Sequence, residues 1–356
     1  MKKDLKLYGF TKKFKNESNN YSELIPARVI ESHRSLYKII STDGILTAKV
    51  TGKYLNQVNS TEDFPTVGDF VMCDLVDQKS AIIKAILPRE SVITRKAAGN
   101  THNSQLIAAN VDTLFICMSL NEDLNPRRLE RYLSIAWDGG SIPVIVLTKS
   151  DLCDDIASVL LQIEAIALGV DIILSNTVEN DGLNQLTPYL KPTKTIAFVG
   201  SSGVGKSTLI NKLIGQELIN TGSIRINDGK GRHTTSHRQM FFSPNGTMII
   251  DTPGMRELGL QSVNLNKSFA DIQELAHECK FRNCSHTNEP GCAVLASVAA
   301  GQLDSKRLAN FIKLSNESQY DSLNSREIEN KKLERMFGGK NEYKRQKRAF
   351  KNKKSY

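Results

Sequence analysis

The chain has 356 residues, of which 40% are hydrophobic and 24% are charged, a composition typical of a globular protein with two or three domains. No segment approaches the roughly 20 apolar residues of a membrane span, and the polar N-terminus lacks the apolar core of a secretory signal. These features exclude an integral membrane protein and favour a cytoplasmic one with no membrane partner. Most of the net charge of +9 lies in the C-terminal tail.

The N-terminal quarter of the chain has the pattern of a small β-barrel. About five short β-rich segments are separated by turn signals, and they cover residues 29–30, 37–40, 45–50, 69–73 and 81–86. This close spacing favours an OB-fold, although an SH3-like barrel produces nearly the same pattern. We therefore predict an OB-like, RNA-binding β-barrel over residues 1–95.

The middle of the chain alternates continuous apolar runs with helical stretches. The runs 111–118 and 142–147 predict buried strands, and residues 126–137 and 156–168 predict helices. Continuous apolar strands between helices indicate a parallel sheet that is covered on both faces. This pattern predicts an α/β domain over residues 96–265, followed by a helical unit over residues 266–335.

A candidate base-reading loop follows the apolar run 142–147. The sequence Thr-Lys-Ser-Asp at 148–151 resembles the N/T-K-x-D motif of GTPases. The Asp151 carboxylate can accept hydrogen bonds from both N1–H and the N2 amine of guanine, and adenine offers no such donor pair. The alternative is a Lys/Asp pair in a helix cap. A second loop follows the run 171–174, so the predicted base-side residues are Thr148, Lys149, Ser150, Asp151, Ser175 and Asn176.

The most specific motif is the P-loop pattern G-S-S-G-V-G-K-S at residues 200–207. It follows the apolar run 196–199 and precedes a helical run, as a phosphate-binding loop requires. Lys206 is expected to reach the β- and γ-phosphates and to act in catalysis, and Ser207 to ligate Mg²⁺. The predicted phosphate-binding residues are Gly200, Ser201, Ser202, Gly203, Val204, Gly205, Lys206, Ser207 and Thr208.

A second phosphate-side element, Asp-Thr-Pro-Gly at 251–254, follows the apolar run 248–250. It resembles the D-x-x-G element of GTPases, in which Asp251 would hold Mg²⁺ through water and the Gly254 N–H would contact the γ-phosphate. The segment 229–238 between this element and the P-loop is polar and rich in glycine. We predict that Thr235 ligates Mg²⁺, with Thr234 as the alternative.

Three cysteines and one histidine cluster near the C-terminus. Their spacing, Cys-x₄-Cys-x-His-x₅-Cys, supplies three thiolates and one imidazole, which is a closed structural zinc set. The alternative is three buried cysteines beside a surface histidine. We predict one zinc ion per chain, held by Cys279, Cys284, His286 and Cys292.

The last 21 residues, 336–356, form a basic tail with eight Lys or Arg and one acid. Basic arms bind polyanions by releasing counterions, and nucleic acid is the commonest such partner. The alternative is a solvated tail without a specific partner.

The base-reading loop precedes the P-loop here, whereas it comes last in an ordinary GTPase. A circularly permuted chain can form the same sheet, because domain termini often lie close together. The combination of barrel, permuted motif order, the G-R-H-T-T sequence at 231–235 before 251–254, and the Cys/His cluster resembles the ribosome small-subunit-dependent GTPase A family, the RsgA- or YjeQ-like proteins. The resemblance covers roughly residues 24 to 335.

This resemblance implies a function for the whole chain. It implies a monomeric GTPase that uses Mg²⁺, cycles between GTP and GDP, and binds the small (30S) ribosomal subunit and its rRNA during late assembly, with hydrolysis stimulated by the subunit. The alternatives are an RNA-binding scaffold with a structural nucleotide, and a GTPase that acts on another RNA such as tRNA.

The resemblance also implies a role for His233. Ras-like proteins place a water-orienting Gln directly after D-x-x-G, and Met255 occupies that position here. A neutral imidazole can accept a hydrogen bond from the attacking water, so His233 is the predicted catalytic replacement. The alternative is that His233 contacts only the loop or RNA.

Overall fold

The computed structural model describes residues 4–33, 35–52, 54, 61–96, 104–121, 124–176, 181–219, 238–252, 265 and 268–320. Within these residues, eleven strands form one continuous sheet and two form a separate hairpin. In the described part of the chain, no helix has both the length and the apolar composition that a membrane crossing requires.

The N-terminal strands close into a five-stranded barrel. They are β1 (Ile25–His33), β2 (Leu36–Ser41), β3 (Gly44–Val50), β4 (Phe70–Leu75) and β5 (Ser80–Ile86). The order is β1-β2-β3-β5-β4, a β4–β1 pairing closes the barrel, and β3 runs parallel to β5. Side chains alternate between core and solvent: in β3, Leu46 and Ala48 are buried while Ile45 and Lys49 are exposed. The predicted OB-like barrel is confirmed.

A short helix covers one end of this barrel. Helix α1 (Lys12–Ser18) buries Phe14 against Phe70, with ring centroids 4.3 Å apart. The three lysines of α1 are exposed. Phe10, just before the helix, also packs on Phe70 at 5.3 Å, and Lys13 pairs with Glu90 at 3.4 Å. The N-terminal segment therefore packs on the barrel through its aromatic side chains.

The central sheet is parallel, as the apolar runs predict. Its strands are β8 (Thr113–Ser119), β9 (Ile142–Thr148), β10 (Asp171–Ser175), β11 (Thr195–Gly200), β12 (Arg238–Phe242) and β13 (Met248–Asp251). Strands β10-β9-β8-β11-β13 are parallel neighbours in that order, and β12 pairs antiparallel with β13. Its helices are α2 (Pro126–Asp138), α3 (Ile156–Glu164), α4 (Asp181–Leu186) and α5 (Lys206–Ile214).

Both faces of this sheet are buried. Along β8, Leu114 and Ile116 join one apolar cluster while Phe115 and Cys117 join the other. This two-sided burial explains why the strand reads as an uninterrupted apolar run instead of an alternating one. The predicted α/β architecture is confirmed.

In addition to apolar packing, a strand pairing and a buried arginine join the barrel to the central sheet. Strand β1 pairs with β12 at Glu31 and Ser32, so the two sheets are continuous. The Arg28 side chain is 1% exposed and donates hydrogen bonds to the carbonyls of Tyr8, Gly68 and Asn110 and to the Thr195 hydroxyl. One buried guanidinium thus links the N-terminal segment, the barrel and the base of the central sheet.

The hairpin of β6 (Val92–Lys96) and β7 (Ser104–Ala109) lies at the predicted junction between residues 95 and 96. The domain boundaries at that position and at 265–266 stay predictions. The basic tail, 336–356, lies outside the described residues.

The C-terminal helices are α6 (Ala270–His277), α7 (Ala293–Ala299) and α8 (Ser305–Tyr320). Phe269 and Phe311 bury their rings 5.3 Å apart, in the same apolar cluster as Tyr132 and Leu133 of α2. The helical unit therefore packs directly on α2 of the central domain.

Candidate nucleotide and metal sites

The carboxyl ends of the parallel strands bring the predicted base-side and phosphate-side residues to one edge of the sheet. Thr148 at the end of β9 lies opposite Ser175 of β10, and Gly200 at the end of β11 lies opposite Cys117 of β8. Ligands of open α/β sheets bind at this edge. The base loop precedes the P-loop in the chain, yet the fold places both at the same edge, as a permuted order requires.

The P-loop connects β11 to α5 in a conformation that needs glycine. Gly200 has φ +148°, and a Cβ there would lie 2.4 Å from the carbonyl oxygen of Cys117. Gly205, the N-cap of α5, has φ +99°, where an L side chain is strained. These two residues turn the chain so that the N-terminus of α5 faces the loop, as in a phosphate-binding site.

Lys206 is held at this loop. Its side chain is nearly buried, and Nζ donates hydrogen bonds to the carbonyl oxygens of Gly200 at 2.8 Å and Ser201 at 2.7 Å. Burial raises the pKa of Asp251, at the end of β13, to about 6, and the nearby positive charge of Lys206 opposes that shift. A buried ammonium and a partly buried carboxyl therefore share the phosphate end of the site.

The base-side loop is attached to the P-loop by Thr148. Its hydroxyl donates to the Val204 carbonyl at 2.6 Å and also lies 3.3 Å from the Met118 carbonyl. After it, Lys149 has a left-handed backbone with φ +55°, and a short 3₁₀ turn (Ser150–Leu152) leaves Asp151 exposed. Thr148 thus fixes the position of the loop that carries Lys149 and Asp151 relative to the P-loop.

The remaining predicted residues divide into described and undescribed ones. Ser175 is buried and Asn176 is half-buried at the end of β10, beside the Thr148 loop. The positions of His233, Thr235 and Gly254, and of the alternative Thr234, lie outside the described residues, so the predictions for them stay predictions.

Two contacts at this edge were not predicted from the sequence. The guanidinium of Arg128, in the first turn of α2, donates a hydrogen bond to the Ser201 hydroxyl in the P-loop. The buried Thr252 hydroxyl donates to the Phe198 carbonyl at 2.5 Å, which fixes the start of the 251–254 element. Arg128 belongs to no recognisable local pattern, and Thr252 occupies a variable position of the 251–254 element, so neither contact with its distant partner could be predicted from local sequence.

The four predicted metal ligands converge in the C-terminal unit. One ligand atom from each of Cys279, Cys284, His286 and Cys292, a thiol sulfur or an imidazole nitrogen, lies within 4.8 Å of the other three. The separations are 3.8 Å between the Sγ atoms of Cys279 and Cys292, 3.7 Å between Cys279 Sγ and His286 Nδ1, and 3.4 Å between His286 Nδ1 and Cys292 Sγ. Metal–sulfur and metal–nitrogen bonds of about 2.3 and 2.0–2.1 Å place tetrahedral neighbours about 3.5–3.8 Å apart. The set therefore fits a four-coordinate metal ion.

Local structure prepares three of these ligands, Cys279, His286 and Cys292, for a metal. Cys292 is the N-cap of α7, and its Sγ accepts from the Leu295 N–H at 3.4 Å. Burial alone would raise the pKa of the Cys279 thiol, but hydrogen bonds from the Val294 and Ala293 N–H groups hold it below its usual value. Burial lowers the pKa of His286, which favours the neutral imidazole that a metal requires.

Comparisons with known proteins agree with this geometry. Residues 86–261 match a family model described as RsgA GTPase. The chain is 50% identical over 343 residues to small ribosomal subunit biogenesis GTPase RsgA 2 of Lactiplantibacillus plantarum, an alignment that covers 96% of this chain and 97% of that protein. It is 43% identical to small ribosomal subunit biogenesis GTPase RsgA of Methanosarcina acetivorans, in an alignment that covers 87% of this chain and 84% of that protein.

Solved structures show the same architecture. The crystal structure of YjeQ from Thermotoga maritima superposes with a TM-score of 0.62 at 25% identity, over 83% of this chain and 98% of that one. YloQ, described as a circularly permuted GTPase, superposes with a TM-score of 0.59 over 83% of this chain and 95% of that one, and at 23% identity it supports the fold alone. From its relatives, its motif order and its fold, this chain belongs to the RsgA GTPase family.

Proposed function

We propose that this chain is a GTPase that binds the small ribosomal subunit and acts in its late assembly. The observation that carries the proposal is the meeting of the P-loop and the Thr148–Asp151 loop at one sheet edge, joined by the Thr148–Val204 hydrogen bond. Relatives described as small ribosomal subunit biogenesis GTPases, at 41–50% identity, support the choice of partner.

Different residues at this site would have different roles in phosphoryl transfer. The N–H groups of the P-loop and the N-terminus of α5 would bind the phosphates, and Lys206 would place its charge on the transferring group. Ser207, Thr235 and Asp251 would hold Mg²⁺, which would neutralise charge on the β- and γ-phosphate oxygens. Because Lys206 is already fixed against the loop by two carbonyls, its charge needs little reorganisation to act there.

Asp151→Asn is expected to weaken GTP binding and to shift the preference toward xanthine nucleotides. An amide offers both a donor and an acceptor, so it no longer matches the N1–H and N2 donors of guanine. Hydrogen bonds to a charged group contribute about 1.5–3 kcal/mol, so the GTP Kd should rise roughly 10- to 100-fold.

Titration of GTP and XTP onto the variant measures this shift. Asp154→Asn is the matched control, because Asp154 is also exposed and lies three residues further along the same loop. An unchanged GTP affinity in Asp151→Asn would remove Asp151 from the base site.

His233→Ala is expected to bind nucleotide and the subunit normally, while the rate of subunit-stimulated hydrolysis falls by at least about 10²-fold. This is the lower end of the contribution that general-base or positioning groups make. The reason is Met255, whose side chain cannot orient water at the position that follows D-x-x-G. The variant should remain on the subunit in its GTP form, because we propose that hydrolysis triggers release.

Single-turnover hydrolysis at saturating subunits distinguishes catalysis from RNA contact. Saturation removes any binding defect from the rate, so an RNA contact would leave that rate unchanged. A normal single-turnover rate would therefore contradict the catalytic role of His233.

We further propose that the C-terminal ion is zinc, one per chain, with a structural role. Four protein ligands leave no open coordination position for a substrate or water. Its function would be to hold the loop between α6 and α7, which contains few buried apolar residues in the described chain.

GTP hydrolysis measured with and without purified small subunits tests the proposed function. Strong stimulation supports a ribosome-dependent GTPase, whereas absent stimulation with tight RNA binding supports the scaffold alternative. Competition between subunits and bulk tRNA for the chain distinguishes the ribosomal partner from another RNA. A monomeric, cytoplasmic chain is part of the proposal, and sedimentation of the purified protein tests the oligomeric state.

A further inference from the structure

Helix α2 lies between the P-loop and the C-terminal unit. At its N-terminus, the Asn125 side chain accepts a hydrogen bond from the Arg128 N–H at 3.1 Å, and Pro126 occupies the first turn. This cap fixes the backbone of the residue whose guanidinium binds the Ser201 hydroxyl. Ser201 also accepts Lys206 Nζ through its carbonyl, so one P-loop residue is held by both cations.

The opposite side of α2 binds the C-terminal unit through a buried ion pair. Glu130 is 3% exposed, and its carboxylate accepts hydrogen bonds from Arg307 at 2.7 Å and from the Asn310 side chain. Arg307 is also paired twice with Asp271 of α6, at 2.8 Å each, and donates to the Ser268 carbonyl at 2.9 Å. The Arg307 guanidinium therefore makes four hydrogen bonds to three residues: Glu130 of α2, Asp271 of α6 and Ser268, which precedes α6.

A further hydrogen bond and an aromatic contact extend this interface. The Ser134 hydroxyl, one turn after Glu130, donates to the Ser268 hydroxyl at 2.7 Å. Phe311 of α8 has its ring centroid 6.3 Å from that of His286 in the metal cluster. The interface on α2 is thus continuous with the packing around the metal ligands.

Arg128 and Glu130 are separated by two residues, or roughly 200° around a helix. They therefore project from opposite sides of one rigid turn: Arg128 toward the P-loop and Glu130 toward α8. A displacement of Ser201 reaches the turn that carries the buried Glu130–Arg307 pair to the extent that the Arg128 side chain keeps its conformation, because the Asn125 cap holds the Arg128 backbone. Separating a buried ion pair costs free energy, because each charge is then left without its partner in the low-dielectric interior of the protein.

We propose that Arg128 is a positioning residue for the P-loop, and that α2 couples nucleotide occupancy to the C-terminal unit through Glu130 and Arg307. This inference rests on the proposed function, since it requires a guanine nucleotide at the P-loop. Coupling of this kind is reciprocal. If bound nucleotide changes the affinity of the C-terminal unit for a partner by some factor, that partner must change the affinity of the chain for nucleotide by the same factor.

A double-mutant cycle tests the first half of the proposal. Arg128→Met and Ser201→Ala should each weaken GTP binding several-fold, and the double variant should be no weaker than the worse single one, because both remove the same contact. Arg128→Lys, which keeps a cationic donor, should recover part of the loss. Arg127→Met is the matched control, since Arg127 is the exposed neighbour in the same turn and should bind GTP normally.

Hydrogen exchange on the full-length chain tests the second half. Saturation with a non-hydrolysable GTP analogue should slow amide exchange in α8, and this change should be lost in Arg128→Met at nucleotide concentrations that still saturate the site. Glu130→Gln, which keeps the side-chain shape, and the milder Ser134→Ala should alter GTP affinity, although these residues lie 70 and 66 positions before the start of the P-loop at Gly200. Lys306→Gln, an exposed change on α8, should not.

The outcomes separate the coupling from the proposed function. Additive losses in Arg128→Met and Ser201→Ala, or nucleotide binding without any change of exchange in α8, would overturn the coupling alone. If the unaltered chain bound no guanine nucleotide, the proposed function and this inference would both be wrong. Melting curves of each variant identify a general loss of folding, in which case Ser134→Ala and Arg128→Lys decide the result.

Discussion

Replacing Lys206 with alanine is expected to abolish measurable GTP hydrolysis, with a loss of roughly 10³-fold or more, the scale of a cation acting on a transferring phosphoryl group. The ammonium is nearly buried and is held in place by its hydrogen bonds to two backbone carbonyls of the P-loop. An alanine leaves no group that can replace this charge from the same backbone position. The loss should appear in the single-turnover rate, because the charge acts on the reacting phosphate.

The fold should survive this change. Lys206 lies in the first turn of α5, and alanine is the best helix former, so the melting curve should shift little. Lys212→Ala is the matched control, because it removes a lysine from the same helix further from the P-loop. Near-normal hydrolysis by Lys206→Ala with an unchanged melting curve would contradict the P-loop assignment.

Cys284→Ser is expected to lose the metal ion and to leave the C-terminal unit sensitive to protease. Structural zinc sites contribute about 10–16 kcal/mol of binding free energy at neutral pH, which is as large as the whole stability of many domains. Helices α6 and α7 have 8 and 7 residues, too short to be stable in isolation. GTP should still bind, although the coupling through α2 is expected to change its affinity several-fold.

Metal analysis of the gently purified chain should find one zinc per chain, and none in Cys284→Ser. Cys153→Ser is the matched control, since Cys153 is also partly buried and lies outside the cluster. Protease fragments of Cys284→Ser should end within the C-terminal unit while the barrel and central sheet remain intact. Full-length unaltered protein that carries no metal would contradict the zinc proposal.

Local patterns in the sequence were sufficient to predict much of the fold. Each relies on residues close together in the chain: alternation in the barrel strands, apolar runs in the central sheet, and the strand–loop–helix setting of residues 200–207. The helical run predicted after the P-loop is observed as α5, which starts after the glycine cap Gly205 and ends before Gly215. The spacing of the four metal ligands also sufficed to predict their convergence, since all four lie within 14 residues of chain.

The tertiary structure alone decided how the units are joined. Arg128 and Ser201 are 73 residues apart, and Glu130 and Arg307 are 177 apart. Arg28 likewise joins the barrel to Thr195, 167 residues further on. Hydrophobic periodicity reports which face of an element is buried, but not which distant element covers it. A polar side chain at such a contact has the same local sequence whether it meets solvent or a buried partner, so only the folded chain distinguishes an exposed arginine from one that holds the P-loop.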